Sequence, residues 1–193
     1  MESAAETARR YDVPQAFDDW RRMLAEAAID VVVVAVKVPF HYEIVCAAAT
    51  ARRHVFCEWP LGLDVAEAEA MLTAVSAAGV HHMVGLQSHA HPVLCHARDL
   101  IAAGAIGEVI SASLIASLGN WPPRLPQAET YRIDPRFGAT GLTVPGGHTL
   151  DALAVCLGPL SEVSATLAAP HREATVIETG TRVPIKAPTQ LAL

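Results

Sequence analysis

Between His54 and Pro60 the chain reads His-Val-Phe-Cys-Glu-Trp-Pro. Three residues suited to a buried strand run into a carboxylate and an indole at Glu58 and Trp59. An indole N–H donates a hydrogen bond but cannot accept a proton at ordinary pH. Trp59 can therefore bind, stack, shape a pocket or pack over a seam between domains; it cannot shuttle protons. Lys37 and His41 lie either side of Pro39, just after a run of valines. That places them at the carboxyl edge of a sheet, where ligands of open α/β folds bind. Cofactor contact is the reading for His41, while Lys37 is either a solvated charge or a contact to ribose or phosphate. His148 follows Gly146-Gly147 at a helix start, where it is an acid–base candidate or simply a cap. His81-His82 and His89-x-His91 suggest a metal only superficially. No carboxylate accompanies them in sequence, and strand alternation sends adjacent side chains to opposite faces, so no metal is expected.

The elements that position these residues alternate through the first hundred positions. Ser3 to Tyr11 suits a short helix, and Asp18 can cap a second with Trp20, Met23, Leu24 and Ala27 at i, i+3, i+4 and i+7. Asp30 to Val36 is β-branched without alternation, which predicts a strand buried on both faces of a helix-covered parallel sheet. A helix from about His41 to Arg53 follows, with Ile44, Val45 and Ala48 inward, and leads into the strand that ends at Glu58-Trp59. Asp64 and Glu67 form a capping-box-like start to a helix with Ala68, Met71, Leu72 and Val75 as its stripe and Gly79 at its end. Val80 to Leu86 is the next strand. Pro92 opens a helix whose apolar face is Val93, Ala97, Leu100 and Ile101, closed by Gly104 and Gly107.

Strict alternation with short connections implies right-handed βαβ crossovers and a doubly wound, Rossmann-like α/β sheet. Past a boundary near residue 108 the texture changes, giving an expected second α/β domain over 109–193. Val109 to Leu118 reads as a longer strand, Gly119 to Gly147 as a Pro- and Gly-rich loop carrying Trp121, Arg124 and Tyr131, and His148 to Leu157 as a helix. Val163 to Leu167 and Thr175 to Ile177 read as strands of a second sheet.

Composition narrows the setting. A net charge of −6 disfavours nucleic acid and anionic membrane as partners, because both require basic surface. No uncharged apolar run reaches membrane-spanning length and no leader pattern follows Met1, so a soluble, cytoplasmic protein is expected. Cys46, Cys57, Cys95 and Cys156 lack C-x-x-C spacing and read as reduced, mostly buried thiols.

Four blocks together carry a resemblance: Asp30 to Val36 with Pro39 and His41; His54 to Leu61; Val84-Gly-Leu-Gln87; and Leu100 to Glu108. In order and spacing they resemble the glucose-fructose oxidoreductase/inositol dehydrogenase (GFO/IDH/MocA) family. Glu58-Trp59, Gly-Leu-Gln and Gly147-His-Thr-Leu-Asp151 look most like the branch containing the fungal galactose-pathway repressor. The resemblance implies an NAD(P)-binding Rossmann domain joined to a C-terminal α/β domain whose open sheet often mediates oligomer contacts. It implies NAD or NADP as cofactor, a small-molecule substrate such as a sugar or polyol, and a homo-oligomer or self-associating chain. On this basis Lys37, Val38, Pro39, His41, Glu58, Trp59 and Gln87 are the expected cofactor-binding residues, and His148 the catalytic histidine.

Two departures matter. Family members usually end the second of these strands with Glu-Lys-Pro, the lysine handling the proton; this chain has Trp59. An aspartate usually stands four residues before the histidine; this chain has Val144. Losing a positioned acid–base group costs about 10²–10⁴-fold in rate, so weak or absent hydride transfer is expected. The alternative is a non-catalytic, dinucleotide-sensing regulator on the same fold. The G-x-G-x-x-G that cradles pyrophosphate is missing, the first glycine being Gly62. The chain therefore reads as a fragment or shortened gene product. The strand Val31 to Val36 is expected to expose an unpaired edge.

Overall fold

A computed structural model describes residues 3–26, 28–117 and 123–193. Three strands, β1 (Val31–Val34), β2 (His54–Cys57) and β3 (His82–Val84), form a parallel sheet in the order β1-β2-β3. The register pairs Val31 with His54, Val34 with Cys57 and Cys57 with Val84. Helix α3 (His41–Thr50) joins β1 to β2, and α4 (Val65–Ala78) joins β2 to β3. Two βαβ units in sequence are the Rossmann-like arrangement that the alternation predicted.

Local chemistry sets the boundaries of these elements. Asp64 caps α4 by accepting from the Glu67 amide at 2.9 Å, while Glu67 Oε2 accepts from the Leu63 amide at 2.8 Å. Gly79 ends that helix with φ +66°, a left-handed conformation that favours glycine. Two short helices precede the sheet: α1 (Ala4–Arg10), capped by Ser3, and α2 (Trp20–Glu26). Asp19 rather than Asp18 serves the start of α2, its Oδ1 accepting from the Arg21 amide at 2.9 Å. Asp18 instead lies 3.5 Å from the Arg22 guanidinium. Leu24 reaches the core, and Ala27 lies outside the described residues.

The core lies on one face of the sheet. Val32, Val34, Val55 and Cys57 pack against Ile44, Val45, Ala48 and Ala49 of α3 and Met71 and Val75 of α4. Burial on both faces is therefore not what forms: Val31 and Val33 are 52% and 63% exposed, and Met83 on β3 is 64% exposed. Helices α3 and α4 cover only the inward face, so alternate side chains of an all-valine strand meet solvent. The outer edge of β1 carries no ladder among the described residues. Leu72, placed in the α4 stripe by its spacing, is also exposed, because Met71 and Val75 already fill the contact with α3.

The remaining elements form smaller units. Helix α5 (Pro92–Ala102) packs along α6 (Gly147–Leu157), leaving Val93 and Leu100 outward. Gly104 and Gly107 follow α5 at positive φ. Residues 109–117 form no strand, and Ile110 and Ile115 are 95% and 94% exposed; a strand needs a ladder partner, and none among the described residues offers one. Leu118, Gly119 and Trp121 lie outside the described residues. The later strands divide between two sheets rather than one. β4 (Arg124–Leu125) pairs parallel with β6 (Glu173–Val176), which pairs antiparallel with β7 (Arg182–Pro184). β5 (Thr166–Ala168) pairs antiparallel with β8 (Gln190–Ala192). Among the described residues no helix is long and apolar enough to cross a membrane.

Candidate functional site

Parallel strands deliver their following residues to one edge. Lys37 to Pro39 follow β1, Glu58 and Trp59 follow β2, and Gln87 follows β3. Val38 is buried, Pro39 enters a short 3₁₀ turn with it, and Lys37 and Gln87 are exposed. His41 is 1% exposed, with Nδ1 3.1 Å from the Leu61 carbonyl and Nε2 2.9 Å from the Val36 carbonyl. The imidazole thereby ties the loop after β1 to the loop after β2. Glu58 is fixed by its amide, which donates to the Val34 carbonyl at 3.0 Å. A β-carbon at Gly85 would stand 3.2 Å from Glu58 Cα and 2.7 Å from its Oε2, so glycine lets the end of β3 approach the end of β2.

Trp59 precedes a cis peptide bond to Pro60. Its Nε1 donates to the Thr143 carbonyl at 2.7 Å, across 84 positions of sequence. Thr143 is itself held: its hydroxyl accepts from the Thr140 amide at 2.8 Å and donates to the Gly138 carbonyl. A π-helical turn over Leu142–Gly146, containing Val144 and Pro145, then feeds α6. Gly147 sits directly on the indole, where a β-carbon would lie 2.5 Å from Trp59 Nε1 and 2.9 Å from Cε2 and Cζ2. His148 is the next residue, half-buried at the start of α6. The fold thus brings the strand end at Trp59 and the helix start at His148 to one seam, to which the last part of the expected loop contributes.

A second contact closes the same seam. His89, beyond β3, meets Asp151 of α6 with Nε2 3.0 Å from Oδ1. The Asp151 side chain is 10% exposed, and its Oδ2 is buried without a partner. No carboxylate neighbours these histidines in sequence; this one arrives from another element. His81 instead packs beside His54, the ring centroids 4.8 Å apart and the planes tilted by 57°. Among the described residues no group of three His, Cys, Asp or Glu side chains could hold a metal ion. All four cysteines are free, and burial, helped by Glu58, pushes the Cys57 thiol up to about 12.

Lys37 reaches across to the second part of the chain, its Nζ 4.8 Å from the Tyr131 ring centroid. The seam further along is tight: a β-carbon on Gly138 would stand 2.9 Å from Val38 Cγ1, and Gly138 has φ +73°. Thr143, Gly138 and Gly147 were not singled out as contacts by sequence pattern, because no local periodicity encodes a partner so far along the chain.

A dinucleotide fits this edge in part. The three strand-end loops, the close approach at Gly85 and the exposed Lys37 ammonium suit the sugar and ring of one nucleotide half. The 193 residues contain no G-x-G-x-x-G to cradle the pyrophosphate. What the fold and site define is a Rossmann-like α/β sheet whose carboxyl edge is tied through Trp59 to the turn that precedes α6.

Comparison with known proteins places it further. Residues 1–86 match the model for an oxidoreductase family with an NAD-binding Rossmann fold, and residues 92–193 match that of the Gal80p C-terminal domain. The chain is 32% identical over 167 residues to levoglucosan dehydrogenase of Pseudarthrobacter phenanthrenivorans, covering 86% of the chain and 43% of that protein. It is 30% identical over 149 residues to the galactose/lactose metabolism regulatory protein GAL80 of Saccharomyces cerevisiae, covering 72% of the chain and 33% of that protein. A structure of levoglucosan dehydrogenase in complex with NADH and levoglucosan superposes with a TM-score of 0.83 at 28% identity, over 97% of this chain and 50% of that one. The chain belongs to the GFO/IDH/MocA oxidoreductase family, in its Gal80-like branch. It spans less than half the length of the two curated relatives described.

Proposed function

We propose that this chain is a dinucleotide-binding member of the family whose hydride transfer on sugars or polyols is impaired. It is proposed to use NAD or NADP, to work in the cytoplasm and to self-associate, with residues 1–108 as the nucleotide-side domain and 109–193 as the second. One observation carries the reading: the Trp59 N–H is committed to the Thr143 carbonyl at 2.7 Å. The residue standing where relatives place a proton-handling lysine is thus used as a lock between two units, and the indole nitrogen's lone pair belongs to its aromatic system and does not take a proton at ordinary pH. Val144 offers no acid or base either. A bound nicotinamide would supply hydride chemistry; the residues present here position its surroundings without an acid–base pair beyond His148.

The test is a calorimetric titration of residues 1–193 with NAD and NADP, paired with absorbance assays over a sugar and polyol panel. Weak binding and no turnover are expected. Tight binding with clear turnover would overturn the proposal, and would mean that Trp59 and His148 support a different mechanism. A second reading, a non-catalytic dinucleotide-sensing regulator, is favoured by the same locked Trp59 and by the likeness to a regulatory relative. Dinucleotide-dependent association with a protein partner, without turnover, would select it.

A further inference from the structure

A cavity of about 360 Å³ opens beside the seam, and none of Glu58, Trp59, Gln87 or His148 lines it. Its walls come from the turn after β1 (Lys37), the 127–137 segment (Tyr131, Asp134 and Phe137 among others), and β7 with the residue pair beyond it (Lys186). Tyr131 and Phe137 meet edge to face, 6.4 Å between centroids at 79°, so the cavity has a rigid aromatic wall.

Charge at this cavity departs from the chain's acidic average. Asp134 is the carboxylate in the lining, and it is already spent. It bonds the Arg136 guanidinium at 2.7 Å and the Lys186 ammonium at 3.3 Å, and its side chain is 13% exposed. Glu178, near the Gln127 end, accepts from the Gln127 amide at 2.8 Å. Lys37 has no carboxylate within ion-pair distance among the described residues; its contact is the Tyr131 ring, which orients the ammonium without neutralising it. One carboxylate therefore faces two lysines in the lining, a local positive excess in a chain of net charge −6. Gln127, Thr130 and the Tyr131 hydroxyl add polar groups beside the rings.

We propose that this cavity binds a phosphomonoester of a monosaccharide-sized ring, with the phosphate on the Lys37 ammonium and the ring against Tyr131 and Phe137. The volume fits such a molecule and is in the range of small-ligand clefts. A cation held in place by an aromatic face gives a charge-assisted contact without the desolvation of a competing ion pair. None of Glu58, Trp59, Gln87 or His148 forms the site, so it does not require hydride transfer; Lys37 is common to it and to the nucleotide-side edge, whereas Tyr131 belongs to it alone.

The test is calorimetry with glucose 6-phosphate, glucose and inorganic phosphate on the full chain and on Lys37→Gln, Tyr131→Leu and Lys186→Gln. Glucose 6-phosphate is expected to bind at least tenfold more tightly than glucose or phosphate. Lys37→Gln and Tyr131→Leu should each weaken it by roughly tenfold or more, the scale of a lost charge-assisted contact. Lys186→Gln should weaken it less, since that ammonium is shared with Asp134. Circular dichroism of each variant separates loss of binding from loss of fold, and Tyr131→Leu distinguishes this cavity from the strand-end edge, which Tyr131 does not form. Equal affinity for inorganic phosphate and glucose 6-phosphate, binding insensitive to Tyr131→Leu, or no binding of any probe would each overturn the proposal.

Discussion

Gly147 and Trp59 allow a decisive test of the seam, because two ordinary effects oppose each other there. Gly147 has helical dihedrals, φ −61° and ψ −47°, so nothing in its backbone requires glycine. Replacing it by alanine in a helix should stabilise by about 0.5–1 kcal/mol through propensity alone. The β-carbon, however, would lie 2.5–2.9 Å from three indole atoms, including the one that donates to Thr143. The indole is held by that bond and cannot swing freely, so overpacking of about 1–3 kcal/mol is expected. The net effect of Gly147→Ala should therefore be destabilising, a drop in melting temperature of several degrees at about 2–4 °C per kcal/mol for a chain of this size. Trp59→Ala removes the clash, and in that background Gly147→Ala should reverse sign and stabilise. Melting of the two single variants and the double variant by circular dichroism gives the coupling directly, expected at about 1–3 kcal/mol. If Gly147→Ala stabilises the chain with Trp59 present, the indole does not rest on the helix start and the seam described above is wrong.

Other outcomes follow from individual contacts. Asp64→Ala should cost about 1 kcal/mol, read as a lower urea midpoint with unchanged slope, because it orphans the Glu67 amide. Arg136 above all, with Lys186, holds the Asp134 carboxyl well below its ordinary 3.8. Its folded pKa being depressed, the stabilisation is present above that value and is lost as pH falls below about 4; Asp134→Asn should flatten that acid limb of a melting-temperature profile. Cys57, its thiol pushed up to about 12, should be the slowest of the four cysteines to alkylate at pH 8, and mass spectrometry that finds it labelled as fast as Cys95 would contradict its burial beneath α3 and α4.

Much of the first half was legible from local pattern. The helix over Ser3 to Tyr11, the cap at Asp64, the stop at Gly79, the strand beginning at His54 and the proline opening α5 all depend on chemistry within a few residues. Side-chain burial was less legible. A run of four valines looks the same whether one face or both are covered, and only the placement of α3 and α4 leaves Val31 and Val33 in solvent. Likewise Val109 to Leu118 has strand composition, but strand formation is a property of two chains of atoms, and residues 109–117 have no described partner.

The candidate site divides along the same line. Sequence determined that Glu58-Trp59 ends a strand, that Lys37 and His41 follow the strand before it, and that no proton-accepting side chain stands at position 59. Those facts need only residue type and strand direction. That Trp59 reaches Thr143, that the His41 ring lies between the Leu61 and Val36 carbonyls, that His89 finds Asp151 and that Lys37 stands over Tyr131 were decided by tertiary structure. Apart from the His41–Val36 contact, each joins residues at least 20 positions apart, and their partners are backbone carbonyls or single side chains that leave no repeating mark in sequence. Local chemistry positions the donors; the placement of α6 and the turn before it decides which acceptors Trp59 and His89 meet.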